Sequence, residues 1–260
     1  MEKQIEINGL RINYNQSGSG QQAVVLLHGW GCDGNIFRAL QLHLESNFTV
    51  YALDFPGFGR SAEPKAAWGT AEYTSLTTAW LQALNIENPI LIGHSFGGRV
   101  ILRLAKEIAI RKIIITGGAG LRNQTDAKKN TSFKSKMFKF IKNAVNLLPV
   151  SSEKKERMID SAIRKYKFGS ADYQAASPMM RKVLVKTVNE DLRDFLPFVK
   201  TSTLLIYGEN DTATPVSLAK IMEAEIADAG LVVLKSSGHF AFLEQQSQFL
   251  AIVDSFLKPN

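Results

Sequence analysis

The chain has 260 residues, 45% of them hydrophobic, enough to bury one large core or a core with an insertion. A single cysteine, Cys32, excludes an internal disulfide and fits a reducing compartment. The net charge of +7 is uneven: between Leu121 and Glu190, 16 Lys and Arg face 6 Asp and Glu, an excess of +10 that leaves −3 for the remainder.

The opening residues Met1-Glu2-Lys3-Gln4-Ile5-Glu6 carry no apolar stretch of signal-peptide type, and no run reaches transmembrane length. The expectation is a cytoplasmic protein, not an integral membrane protein, with no nucleic-acid partner.

Ile5–Ile7 and Leu10–Tyr14, joined at Asn8-Gly9, read as a hairpin. Ala23–Leu27 is a continuous apolar run, the mark of a strand buried on both faces, and it ends at His28-Gly29-Trp30-Gly31. Ile36–Leu44 has helical spacing, and Phe48–Leu53 is a second buried strand that ends at Asp54-Phe55-Pro56-Gly57-Phe58-Gly59-Arg60-Ser61. Thr70–Leu84 reads as a helix with Thr70 as its N-cap. Pro89–Ile92 is a strand that turns at Gly93-His94-Ser95-Phe96-Gly97 into a helix, and Lys112–Thr116 is the next strand.

There the rhythm breaks. Asn123–Asp194 shows no strand and is polar, basic and helical in pattern. Alternation resumes with a strand at Ser202–Tyr207, a helix from Pro215, a strand at Leu231–Leu234 and a closing helix at Phe242–Leu257. Alternating strands and helices predict an α/β fold, a mostly parallel sheet with helices on both faces, whose ligands bind beyond the carboxyl ends of the strands.

Those strand ends carry the chemistry. A serine on a sharp strand-to-helix turn sits in a strained geometry, and G-x-S-x-G keeps bulky side chains away from the neighbouring strand and helix. The turn exposes the Ser95 hydroxyl and places the Phe96 N–H at a helix N-terminus, where a negative oxygen is stabilised. Serine needs a base to take its proton, and the base needs a carboxylate to fix its tautomer. Ser95, Asp211 and His239 follow in that order, each at a strand end. Among the other histidines, His43 falls on a surface helix and His94 packs beneath the turn. Asp54 and Glu209 are the rival acids, but Pro56-Gly57-Phe58-Gly59 after Asp54 reads as turn chemistry. His28-Gly29-Trp30-Gly31 supplies a second oxyanion donor, the Trp30 N–H. His28, Gly29, Trp30, His94, Phe96, Arg99 and Phe240 are the candidate substrate contacts.

Taken together, H-G-W-G, D-F-P-G-F-G-R-S, G-H-S-F-G-G, G-E-N-D and S-G-H-F, in that order, resemble the serine hydrolases of the α/β-hydrolase fold. The resemblance covers roughly residues 1–120 and 196–260 and places a helical cap at 121–195. It implies hydrolysis of a small-molecule carboxylic ester, or a related acyl bond, through an acyl-Ser95 intermediate, without metal or organic cofactor. Serine at position 95 speaks against the dehalogenases of the fold. H-G-W-G and D-x-P-G-F-G-R-S are similar to the carrier-protein methyl ester esterases of biotin synthesis. Arg99 after the elbow is similar to the pyruvate-eliminating synthases of the menaquinone pathway, which usually carry Tyr where this chain has His94. A ligand receptor that retains the triad is a further alternative. Within 121–195, Phe133, Met137, Phe140, Ile141, Ala144 and Leu148 recur at helical spacing, with Lys134, Lys136, Lys139 and Lys142 between them. That pattern predicts a basic amphipathic helix that buries its apolar face on the core, or docks an acidic acyl carrier or an anionic surface.

Overall fold

Short β-branched and leucine-rich runs, alternating with helical segments, assemble into one eight-stranded sheet in the order β1-β2-β4-β3-β5-β6-β7-β8. The computed structural model describes residues 1–122 and 133–258 and, in the first helix after the gap, side chains from Met137 onward. The strands are β1 (Glu2–Ile7), β2 (Leu10–Ser17), β3 (Ala23–Leu27), β4 (Thr49–Leu53), β5 (Ile90–His94), β6 (Lys112–Thr116), β7 (Thr203–Gly208) and β8 (Ala229–Leu234). β1 and β2 form the predicted hairpin, and β2 pairs antiparallel with β4. From β4 through β3, β5, β6 and β7 to β8 every pairing is parallel.

The central residues of β3, β5, β6 and β7 are apolar because both faces of the sheet are covered there. Val25, Leu27, Leu91, Ile113, Ile115 and Leu205 point into one core, and Val24, Leu26, Ile92, Ile114 and Ile206 into the other. Helices α2 (Thr70–Ala83) and α3 (Phe96–Leu104) close the first face. A 3₁₀ turn at Gly34–Phe37, helix α1 (Arg38–Leu44) and the C-terminal helices close the second.

Two boundaries differ from the sequence expectation. Gly69, not Thr70, is the N-cap of α2: its N–H donates to the Glu72 carboxylate at 2.7 Å, while Thr70 is the first helical residue and is buried. The C-terminal helix is two pieces, broken at Gln245.

Between β6 and β7 the described residues form only helices. These are α4 (Phe133–Leu147), α5 (Ser152–Tyr166), α6 (Ala171–Ala175) and α7 (Pro178–Val188), followed by a 3₁₀ turn at Arg193–Phe198. The buried Arg181 ties three of them together. Its guanidinium pairs with Asp160 of α5 at 2.6 Å and donates to the carbonyls of Tyr173 and Gln174 in α6. Lys186 of α7 reaches Glu72 of α2 at 2.8 Å, and Leu192 N–H donates to Gly120, which returns the chain to the sheet.

The amphipathic helix has the predicted inner face only in part: Met137 and Ile141 are half-buried. Phe138, half-buried, packs on Phe168 with ring centroids 5.0 Å apart, and Val145 is buried, seven residues and two turns on. Phe140 is instead 74% exposed, and Ala144 is exposed as well. The helix carries apolar residues on two rows, and the aromatic partner on the following segment decides which row turns inward. Lys139 and Lys142 do fall on α4; the side chains of Phe133, Lys134 and Lys136 lie outside the described residues.

After the sheet resumes, helix α8 (Val216–Glu225) has Pro215 as its N-cap residue, and α9 (Ala241–Glu244) and α10 (Gln246–Leu257) follow β8. No helix among the described residues is long and apolar enough to cross a membrane.

Candidate active site

Ser95 stands between β5 and α3 with φ +48° and ψ −105°, the left-handed strained backbone that a sharp elbow requires. Its neighbours show why glycine flanks it. A Cβ on Gly97 would overlap the Leu27 carbonyl oxygen of β3, and one on Gly93 would lie 2.6 Å from Ile101 Cδ1 and 2.8 Å from the Gly97 carbonyl carbon. The turn is braced from β6 and the loop after it: Ser95 N–H donates to Thr116 at 3.1 Å, and Ala119 N–H donates to the Ser95 carbonyl at 3.1 Å.

Asp211 lies in the turn just after β7, and its carboxylate is fully buried and multiply bonded. Oδ1 accepts from the N–H groups of Ala213 and Thr214, both at 2.9 Å. Oδ2 lies 2.8 Å from Thr214 Oγ1 and 2.8 Å from His239 Nδ1. Burial pushes this carboxyl up, but the bonds from His239 and Thr214 outweigh it and hold Asp211 below the usual aspartate range. Nδ1 of His239 therefore carries its proton toward Asp211, which leaves Nε2 as the free acceptor.

Thr214 was not singled out in the sequence. Its hydroxyl spans Asp211 Oδ2 and the Gly117 carbonyl at 3.0 Å. The signal was present in Asp211-Thr212-Ala213-Thr214, where an aspartate can cap the backbone two and three residues on.

Asp54, the rival acid, spends its carboxylate on the backbone N–H groups of Gly34 and Arg60 and on the Asn13 amide. Ser61 Oγ donates to its carbonyl at 2.7 Å. It thus stitches together two loops and β2, with no contact to Ser95 or His239. His43, as expected, is on the surface, where Nε2 lies 2.8 Å from Asp254.

Ser95 and His239 share the wall of one cavity of about 730 Å³ with Trp30, His94, Phe96, Arg99 and Phe240. The opposite wall comes from α7 and the residues after it, with Leu184, Thr187 and Asn189. No hydrogen bond joins the Ser95 hydroxyl to His239 in this conformation among the described residues; such contacts often tighten only when substrate is bound. A larger depression, about 1020 Å³, lies at the other end of the sheet around His43, Lys112 and Asp254, and none of the strand-end residues reaches it.

Two expected substrate contacts fall outside the cavity wall. His28 is fully buried, with Nδ1 2.7 Å from the Gly29 carbonyl and Nε2 accepting from Phe55 N–H at 2.9 Å, so neither nitrogen is left for a ligand. Burial pulls its pKa down, which keeps the ring neutral. Gly29 lies beneath the elbow, where a Cβ would come 2.5 Å from His94 Nδ1 and 3.3 Å from Ser95 Cβ. The pair shapes the turn that carries Trp30. The Trp30 ring packs edge-on against Phe58 and Phe96, at 4.8 and 5.9 Å between centroids. Among the described residues neither Trp30 nor Phe96 donates its backbone N–H internally.

His94 is buried under both elements. Its Nε2 lies 3.0 Å from the His239 carbonyl, and its ring centroid is 4.7 Å from that of His239 and 4.9 Å from that of Phe240. Burial, reinforced by His239, pulls its pKa down to about 3, so at neutral pH it is an uncharged donor to that carbonyl. Arg99 is 6% exposed, and burial lowers its pKa to about 10, still charged at neutral pH.

The sequence profile of the alpha/beta hydrolase family matches residues 24–252. The chain belongs to this family. An antiparallel hairpin followed by parallel strands with helices on both faces is the fold of that family, and hydrolysis is its general activity. A 2-hydroxymuconate semialdehyde hydrolase of Pseudomonas sp. is 29% identical to this alpha/beta hydrolase, over 98% of this chain and 93% of the relative. An esterase from Exiguobacterium antarcticum superposes with a TM-score of 0.74 at 26% identity, covering 97% of each chain. A bromoperoxidase from Bacillus anthracis superposes with a TM-score of 0.77 at 22% identity over 100% of both chains, a likeness of fold.

Proposed function

We propose that this alpha/beta hydrolase is a serine esterase that cleaves a carboxylic ester, or a related acyl bond, through an acyl-Ser95 intermediate. The observation that carries the reading is the 2.8 Å contact between Asp211 Oδ2 and His239 Nδ1 at the edge of the cavity that holds Ser95. That contact leaves His239 Nε2 unprotonated and able to accept the Ser95 proton as the hydroxyl attacks the acyl carbon. The developing oxyanion is held by the N–H groups of Phe96, at the N-terminus of α3, and Trp30; losing one such donor costs roughly 3 kcal/mol of transition-state stabilisation. His239 then protonates the leaving alcohol. In the second half it takes a proton from water, which attacks the acyl carbon and releases the acid and Ser95. The segment 121–195 acts as a cap: α7 supplies the far wall of the cavity and so sets which acyl group fits.

The test is turnover of p-nitrophenyl esters of graded chain length, with a fluorophosphonate probe. Label on Ser95, and loss of both label and turnover in Ser95→Ala with an unchanged circular dichroism spectrum, is the expected result. Label on a different serine overturns the reading.

A further inference from the structure

Arg99 is a buried cation in the wall of the Ser95 cavity that the reaction as described does not use. It lies four residues after Ser95, one turn along α3, so its stem rises on the same side of the helix as the elbow. Its Nη1 donates to the Glu190 carbonyl at 3.0 Å. No carboxylate pairs with it among the described residues. The Glu190 carboxylate is taken by Arg103 at 2.7 Å, and Asp191 Oδ1 accepts from the Arg193 N–H. One neutral carbonyl against five N–H donors leaves a desolvated guanidinium short of acceptors, with the Glu190 and Asp191 carboxylates acting on it only at a distance.

The rest of the cavity favours an anion on the same side. Arg122 lines the wall too, with Nη1 3.5 Å from the Asn189 carbonyl. Of the acids in or under the lining, Asp211 is closed by its bonds to Ala213, Thr214 and His239, which leaves Asp172 as the one free carboxylate among the described lining residues.

We propose that Arg99 anchors a carboxylate carried by the acyl group, so that the substrates are half-esters of short dicarboxylic acids and related carboxylate-bearing acyl compounds. The assignment rests on the reading of Ser95 as nucleophile. A planar guanidinium meets a carboxylate through two parallel N–H···O bonds, which fix the acyl chain in direction as well as place. Ser95 and Arg99 line the same cavity of about 730 Å³, so a short acyl chain held by its carboxylate at Arg99 presents its ester carbonyl within that cavity. Binding supplies the directly paired carboxylate that the described residues do not.

The experiment pairs monoethyl glutarate with ethyl valerate, followed by acid release in a pH-stat, and adds calorimetric binding of free glutarate to Ser95→Ala, which needs no turnover. The wild type should favour the half-ester, and Arg99→Met should lower the ratio of half-ester to neutral kcat/KM at least tenfold. Arg99→Lys keeps charge but not the fork, and should fall between the two. Glutarate should bind Ser95→Ala and fail to bind the Ser95→Ala, Arg99→Met double variant. If Arg99→Met does not fold, a ratio lowered at least threefold in Arg99→Lys supports the proposal, and an unchanged ratio overturns it. Equal losses on both esters with no Arg99-dependent glutarate binding overturn the anchor and leave the esterase reading standing. Arg99-dependent glutarate binding without turnover of any ester overturns the esterase reading and supports the anchor.

Discussion

His94 Nε2 lies 3.0 Å from the carbonyl oxygen of His239. His94 is the last residue of β5 and precedes Ser95 directly, so one imidazole links the elbow to the loop that carries the proposed base. Its other nitrogen, Nδ1, is buried without a partner among the described residues. His94→Phe keeps the ring packing against His239, Phe240 and Phe242 but strands the carbonyl, at a cost of about 1–3 kcal/mol. The expected outcome is a fall of about tenfold or more in kcat with little change in KM, and retained probe labelling of Ser95. An unaltered kcat would show that the loop holds its position without this bond.

The same residue gives the fold a dependence on pH. Unfolded, His94 takes a proton near 6.5; folded, it stays neutral down to about 3. Between those values the unfolded chain binds more protons, so stability rises with pH and is lost on acidification. His28, likewise lowered by burial, adds a slope of the same sign. Asp211, held below its usual range, contributes stability that is present above about pH 3.9 and is lost only below it. From pH 6.5 to 4.5, His94 alone accounts for roughly 2–3 kcal/mol. Urea unfolding across that range should show a shallower loss in His94→Phe than in the wild type, with the His28 slope remaining.

Asp211 and Asp54 should separate cleanly by substitution. Asp211→Asn leaves the imidazole in the wrong tautomer, with an expected loss of roughly 10⁴ in kcat. Thr214→Val removes one bond to the same carboxylate, and a smaller loss of about tenfold is expected. Asp54→Asn, outside the cavity lining but bonded to Gly34, Asn13 and Arg60, should lower the melting temperature and leave kcat close to wild type. Rates and calorimetric melting for the three variants check the assignment.

Gly97→Ala tests the elbow itself. The added methyl meets the Leu27 carbonyl, which is held in the sheet and cannot move aside. Loss of soluble folded protein, or loss of Ser95 labelling in the material that folds, is the expected outcome, read by size-exclusion chromatography and probe labelling.

The sequence by itself determined the sheet and its ends. Apolar runs such as Ala23–Leu27 and Ile113–Ile115 are legible because the middle of a strand covered on both faces must be apolar, and the turn residues after them mark where each strand stops. Gly93 and Gly97 were legible for a local reason, since close backbone approach admits only glycine. Neighbour-dependent matters were not legible. Phe140 and Ala144 match a helical period as well as Phe138 and Val145 do, and only Phe168 on the following segment selects which of them turn inward. His28 looked like a ligand contact beside Trp30 until Phe55 and Gly29 occupied both its nitrogens. The tertiary structure alone decided that Thr214 supports Asp211, that α7 closes the cavity, and that Arg99, expected at the site, has no paired carboxylate among the described residues. Each depends on segments far apart in the chain, and pairing between distant segments leaves no period or motif in a single sequence to read.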